Sequence, residues 1–244
     1  DEAVYLGGID NETDVSGQIS LIEKAQQQGA DGILLAPANS NTLVESCQKI
    51  KDQNISLVLI DSSINSDAYD TCYMTGNMEA GQIAAREMLA MLSEQGNTDQ
   101  DSLEVGILLS SDSSQAMVNR VSGFLEYWAK YAPEKWTINQ DIRLNGGDME
   151  NAQADVSELL RNNRHIKGLY GCNNTSTKGI AAVLMRAARK DIVMAGFDLA
   201  EETASLIRDP DYHGITLLQK QEQMAYKGML SLDWQIRGEK PEQK

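Results

Sequence analysis

Three apolar runs in this chain end on aspartate: residues 5–9 lead to Asp10, residues 57–60 to Asp61 and residues 193–197 to Asp198. A fourth, Gly168-Leu169-Tyr170-Gly171-Cys172, runs into Asn173 and Asn174. Segments of helical periodicity stand between such runs. Buried parallel strands read as nearly continuous apolar stretches because helices cover both of their faces. The chain therefore reads as α/β, with right-handed strand–helix–strand crossovers and a doubly wound sheet. Open sheets of this kind bind ligands beyond the carboxyl ends of their strands. Carboxylates and amides at several strand ends thus point to a polar site for a small, hydrogen-bonding ligand.

The alternation predicts strands at 3–9, 32–36, 56–60, 72–75, 104–109, 136–143, 167–171, 192–197 and 213–218. It predicts helices at 15–28, 41–53, 78–94, 115–131, 149–162, 175–189, 201–208 and 221–237. Asn39 and Ser40 are candidate N-caps for the second helix and Asn77 for the third. Gly81 reads as a site of close packing on the sheet. Phe124 and Trp128 are four apart and share a core-facing stripe. Both halves alternate alike, as two similar α/β lobes would.

Composition narrows the function. The 244 residues carry 21 Lys plus Arg against 36 Asp plus Glu, a formal charge of −15, which argues against a nucleic-acid backbone or an anionic membrane surface as partner. Three cysteines, Cys47, Cys72 and Cys172, fit no zinc spacing. They read as small buried residues, with a Cys47–Cys72 bridge left open. The two histidines, His165 and His213, read as turn or strand-start residues. Neither stands in a nucleophilic or metal-binding constellation, so no catalytic residue, metal site or cofactor is expected. Walker and GxGxxG patterns are absent. The serine-rich stretch 110–114 precedes a helix and can offer hydroxyls and backbone N–H groups to a ligand. Arg120 reads either as pointing to the sheet end or as a surface or hinge ion pair. Asn173 and Asn174 read as one cap and one amide free to donate and accept at once. Asp61, Asp198 and Gln219 close the list of strand-end polar groups, while Asp10 reads as a turn residue.

Taken in order, these elements resemble the type I periplasmic binding proteins, the ribose-binding-like solute receptors of ABC transporters. Residues 55–61 are similar to the family's strand ending in a ligand-binding Asp, and 76–81 to its first crossover. Arg120-Val121-Ser122-Gly123-Phe124 matches its Arg-x-x-Gly-Phe helix. Cys172-Asn173-Asn174 with Gly179, Gly196-Phe197-Asp198, and Leu218-Gln219 match its later motifs. The resemblance implies two doubly wound parallel-sheet lobes with a ligand cleft between them. One lobe is 1–75 plus 220–244 and the other 76–219, with crossovers near 75–76 and 218–220. It implies ligand contacts from Asp61, Ser62, Ser114, Arg120, Asn173, Asp198 and Gln219, and hinge positions at Thr75, Gly76 and Leu218. It also implies closure around a small sugar-like ligand and recognition by an ABC-transporter permease or a membrane receptor. The implied place is outside the cytoplasm, either periplasmic or as a lipoprotein at the outer face of a Gram-positive cell.

The departures point away from ribose. Ala36, Ser62, Val118 and Gly147 stand where the family carries ligand-contacting Asn, Arg, Arg and an aromatic. The family's first strand–helix unit and last strand have no counterpart here, which reads as a trimmed chain. The alternatives sharing the fold are the effector core of a lactose-repressor-like regulator, which would dimerise, and the sensor domain of a membrane kinase. A monomeric receptor is the main reading. A sugar hydrolase would need two carboxylates at a defined separation, which no spacing in the chain supplies.

Overall fold

The computed structural model describes residues 2–8 and 11–239. In chain order the elements are α1 (Val15–Gln27), β1 (Gly32–Leu35), α2 (Val44–Asp52), β2 (Ser56–Ile60), β3 (Thr71–Tyr73), α3 (Asn77–Glu94), β4 (Leu103–Leu109) and α4 (Gln115–Tyr131). They continue with β5 (Trp136–Ile138), β6 (Arg143–Leu144), α5 (Met149–Asn162), β7 (Ile166–Gly171), α6 (Asn174–Arg186), β8 (Val193–Phe197), α7 (Glu201–Arg208), β9 (Gly214–Leu217) and α8 (Gln221–Ile236). None of these helices is long and apolar enough to cross a membrane. The chain divides into two compact units. Unit 1 comprises Asp1–Thr75, Ser113–Ala116 and Lys220–Lys244; unit 2 comprises Gly76–Asp112 and Met117–Gln219.

Unit 1 holds a parallel sheet of order β1-β2-β3. Leu57 and Leu59 of β2 enter a core with Ile22 of α1 and Cys47 and Ile50 of α2. On α8, Gly228 lies against Leu34 and Ile60, and Leu232 lies over Gly32, so this helix covers the sheet's other side.

Unit 2 holds the larger sheet, of order β5-β4-β7-β8-β9, with β6 also pairing β4, and every pairing is parallel. Its apolar runs resolve into two faces by the period-2 alternation of a strand. Val105, Ile107, Leu109, Tyr170, Cys172, Val193, Ala195 and Phe197 pack with α3 and α4. Leu108, Leu169 and Met194 pack with α5, α6 and α7. Phe124 lies stacked between Trp128 and Tyr170, at centroid distances of 5.5 and 4.4 Å.

Four expectations are corrected. Residues 2–8 form no strand, and Val4 and Tyr5 are 65% and 88% exposed. A strand persists only where its backbone groups find a ladder partner, and Gly7-Gly8 contributes little β preference of its own. Asp10 lies outside the described residues. The strand expected over 136–143 is two short ones, β5 and β6. Between them Asn139 Oδ1 accepts the Asp141 N–H and closes a local turn that competes with the ladder. Asn39 accepts the N–H groups of Asn41 and Thr42 in the turn that precedes α2, rather than capping the helix itself. Gly81 serves a helix contact, not the sheet. A Cβ there would meet the Arg120 carbonyl oxygen at 2.1 Å, and one at Gly123 would meet that of Met78 at 2.0 Å. The two glycines let α3 and α4 touch backbone to backbone. The three cysteines are free thiols. His165 and His213 fall just before β7 and β9, as expected.

Candidate functional site: a polar relay at the strand ends of unit 2

At the carboxyl ends of β7, β8 and β9 the buried polar groups of unit 2 converge on Arg120. The close α3–α4 approach directs this side chain inward, where it is 1% exposed. Its Nε donates to Asn77 Oδ1 at 2.8 Å, and Nη1 donates to the Cys172 carbonyl at 2.9 Å. Nη2 donates to Gln219 Oε1 at 2.5 Å. The guanidinium lies 4.0 Å from the centroid of the Phe197 ring, a cation–π contact in a desolvated setting. Arg120 is therefore a sheet-end residue, not a surface ion pair. Asn77, at the start of α3, is not a cap: no side chain caps that helix, and the Asn77 oxygen is committed to the guanidinium. The buried Nδ2 of Asn77 has no partner among the described residues. Leaving such a donor unpaired costs about 1–3 kcal/mol, and the charge-assisted bond on Oδ1 offsets it.

Gln219 passes the contact on. Its Nε2 donates to both Asp198 carboxylate oxygens, each at 3.1 Å. Asp198 has φ +63°, its N–H donates to the Leu217 carbonyl at 2.9 Å, and its carbonyl accepts the Thr216 hydroxyl at 2.6 Å. A non-glycine residue in the left-handed region is uncommon and carries local strain, and such residues cluster at ligand sites. Asn173, 3% exposed, is the N-cap of α6, with Oδ1 accepting the Ser176 N–H.

Unit 1 repeats the backbone device at the end of β2. Asp61 has φ +65°, and its N–H donates to the carbonyl of Tyr73, the last residue of β3, at 2.9 Å. Leu217 is likewise the last residue of β9. Each unit thus turns a strand-ending aspartate through the left-handed region beside the neighbouring strand's end. Ser62 is 2% exposed; its Oγ lies 3.5 Å from the Ser114 Oγ and accepts the Ala116 N–H at 3.4 Å.

Sequence reasoning missed two members. Asn77 was legible as polar but was assigned to a cap. Thr177 gave no signal, since a threonine within a helix is ordinary. Its Oγ1 donates to the carbonyls of Gly171 and Asn173 and accepts the Phe197 N–H at 3.0 Å, tying the ends of β7 and β8 together. Burial raises the Cys172 thiol far above its ordinary range, so it stays a thiol beside Arg120 rather than a nucleophile. A surface depression lined by Gln95, Asn97, Lys167, Lys190, Asp191 and His213 lies at the opposite, amino end of the same strands. Its lysines are paired, Lys167 with Asp191 at 2.9 Å and Lys190 with Asp211. In open sheets of this kind ligands bind at the other end, beyond the carboxyl ends of the strands.

Fold and strand-end geometry together describe a binding protein of the doubly wound α/β class. Residues 1–240 match the periplasmic binding protein domain family, and the chain belongs to that family. Among its relatives, the D-apiose import binding protein of Actinobacillus succinogenes is 26% identical over 93% of this chain and 70% of its own length. The D-ribose/D-allose-binding protein of Pseudomonas aeruginosa is 24% identical over 83% of this chain, which spans 62% of that relative. An ABC-transporter solute-binding protein of Agrobacterium vitis, crystallised with D-fucose, superposes with a TM-score of 0.87 at 25% identity. The match covers 97% of this chain and 79% of that one.

Proposed function

We propose that this chain is a solute-binding receptor that closes around a small neutral polyol, a sugar or sugar alcohol, and presents it for ABC-transporter uptake or chemosensing, without turnover. The observation that carries this is the Arg120–Gln219–Asp198 relay. It holds one carboxylate at a strand end with its orientation fixed, and a carboxylate accepts hydrogen bonds from adjacent ligand hydroxyls. Asp198 and Gln219, with Asn173 and the buried Arg120, form the contact set of unit 2. Asp61, Ser62 and Ser114 form that of unit 1. The named relatives bind D-apiose and D-ribose or D-allose, and the Agrobacterium vitis protein was crystallised with D-fucose, all small and polyhydroxylated. The chain first passes from unit 1 to unit 2 at Thr75–Gly76 and last returns just after Leu218–Gln219, with Ser113–Ala116 a short excursion between, and Thr75, Gly76 and Leu218 are the hinge in this reading. A permease or membrane receptor outside the cytoplasm is the partner that would read the liganded form.

The test is a thermal-shift panel of pentoses, hexoses, branched pentoses and pentitols, with amino acids and nucleosides alongside, followed by calorimetry on every hit. A saturable gain in Tm with one or a few polyols is the expected result. A chain that responds to no polyol, but to amino acids or nucleosides, overturns the assignment.

A further inference from the structure

Arg120 has a second role, visible in which residues it holds. Asn77 follows Gly76, the first residue of unit 2, and Gln219 is that unit's last residue. One guanidinium hydrogen-bonds the side chains of both, at 2.8 and 2.5 Å. Its remaining contacts fix it to the sheet: the Cys172 carbonyl just past β7, and the ring of Phe197, the last residue of β8. Its own backbone is held as well, with the Tyr170 hydroxyl donating to the Arg120 carbonyl at 3.4 Å and Gly81 packed against that same oxygen.

We propose that Arg120 is a positioning residue that pins the first and the last chain crossings of unit 2 to the end of its sheet and aims the Gln219 amide at Asp198. The planar, rigid fork of donors is what the task needs, since three acceptors in different directions are met by one group whose charge never leaves it. Guanidinium only donates and carboxylate only accepts, so Gln219, between them, has one orientation available: oxygen toward Arg120, NH2 toward Asp198. Asn77 is oriented by the same logic, which accounts for its buried, unpartnered Nδ2. The pinning of the crossings stands on geometry alone. The aiming of Gln219 matters for ligand only if the polyol-receptor reading holds.

The experiment uses the ligand-free chain, so its outcome is independent of that reading. Hydrogen–deuterium exchange is followed in peptides covering residues 73–80 and 215–222, with β4 and β7 as internal references. Arg120→Met is expected to speed exchange about tenfold or more at both crossings and leave the reference strands at their native rates, a local rather than global opening. Asn77→Leu should quicken the first crossing only, and Gln219→Leu the second only. Native rates at both crossings in Arg120→Met overturn the proposal. If that variant fails to fold, native rates in either single-partner variant at its own crossing overturn it instead. A second readout is specific to orientation. The Gln219 side-chain amide signal in a 15N–1H spectrum, identified by its loss in Gln219→Leu, should shift toward exposed glutamine positions in Arg120→Met. A Gln219 signal left in place overturns the aiming role.

Discussion

At the scale of single residues, the proposed function separates groups that hold from groups that bind. Asp198 binds in the proposed reading, and Asp198→Ala is expected to weaken polyol affinity by about 1.5–3 kcal/mol, the range for a hydrogen bond to a charged group. Calorimetry showing unchanged affinity would remove Asp198 from the site. In the same proposed reading Asn173 does both, because its Oδ1 caps α6 while its amide lies at the strand end. Asn173→Asp keeps a capping acceptor and loses the amide donor, so it should lower affinity while Tm stays near native. Asn173→Ala should lower both, losing about 1 kcal/mol of stability with the cap. If the Asp and Ala variants lose affinity equally little, the amide has no ligand role. The strand-end aspartates were legible because an apolar run that stops on a charge marks where a buried strand leaves the core. Their left-handed backbone was not, since nothing local in Ile60-Asp61 or Phe197-Asp198 calls for it; the neighbouring strand end imposes it through the Asp N–H. Asn77 was misread because an asparagine at a helix start ordinarily caps, and only the tertiary arrival of Arg120 takes its oxygen away.

At the scale of elements, the approach of α3 to α4 decides where Arg120 points. Gly81 and Gly123 sit at that crossing, each facing a main-chain carbonyl that a Cβ would strike. Backbone cannot swing aside as a side chain can, so Gly81→Ala must separate the helices. The expected cost is about 1–3 kcal/mol, that of overpacking, read from urea unfolding. The same displacement carries the Arg120 carbonyl with it, so polyol affinity should fall too. Native stability in Gly81→Ala would show that the crossing has slack the geometry denies. Helices α4, α5 and α7 follow the sequence expectation residue for residue, and β2 does as well, because their periodicity and their end signals agree. The expectation fails where an element needs a partner to exist. Residues 3–8 have apolar character but no ladder, and 136–143 breaks where Asn139 prefers its own turn. Pairing is a property of the sheet and is not written in either segment.

At the scale of the whole molecule, burial of the three thiols links stability to pH. Cys47 and Cys72 belong to unit 1, and burial pushes each thiol up to about 11. Cys172 of unit 2 is raised further by the same cause. In the unfolded chain these groups ionise near the ordinary thiol value, about 8.5–9. Below that pH both states hold the protons and the thiols contribute no slope. Above it the unfolded state binds fewer protons than the folded one, so stability falls as pH rises, through a window that runs from about 9 to about 11 for Cys47 and Cys72 and higher still for Cys172. Tm measured from pH 7.5 to 10.5 should therefore drop with a slope that begins near pH 9. Cys47→Ala opens a small cavity and lowers Tm at every pH, so the absolute value is not the test. The test is the slope: removing a proton that the folded state retains must flatten the alkaline limb relative to the native chain. Parallel limbs in the two proteins would mean that Cys47 ionises in the folded state as readily as in the unfolded one, and the close-packed environment around it would have to be given up.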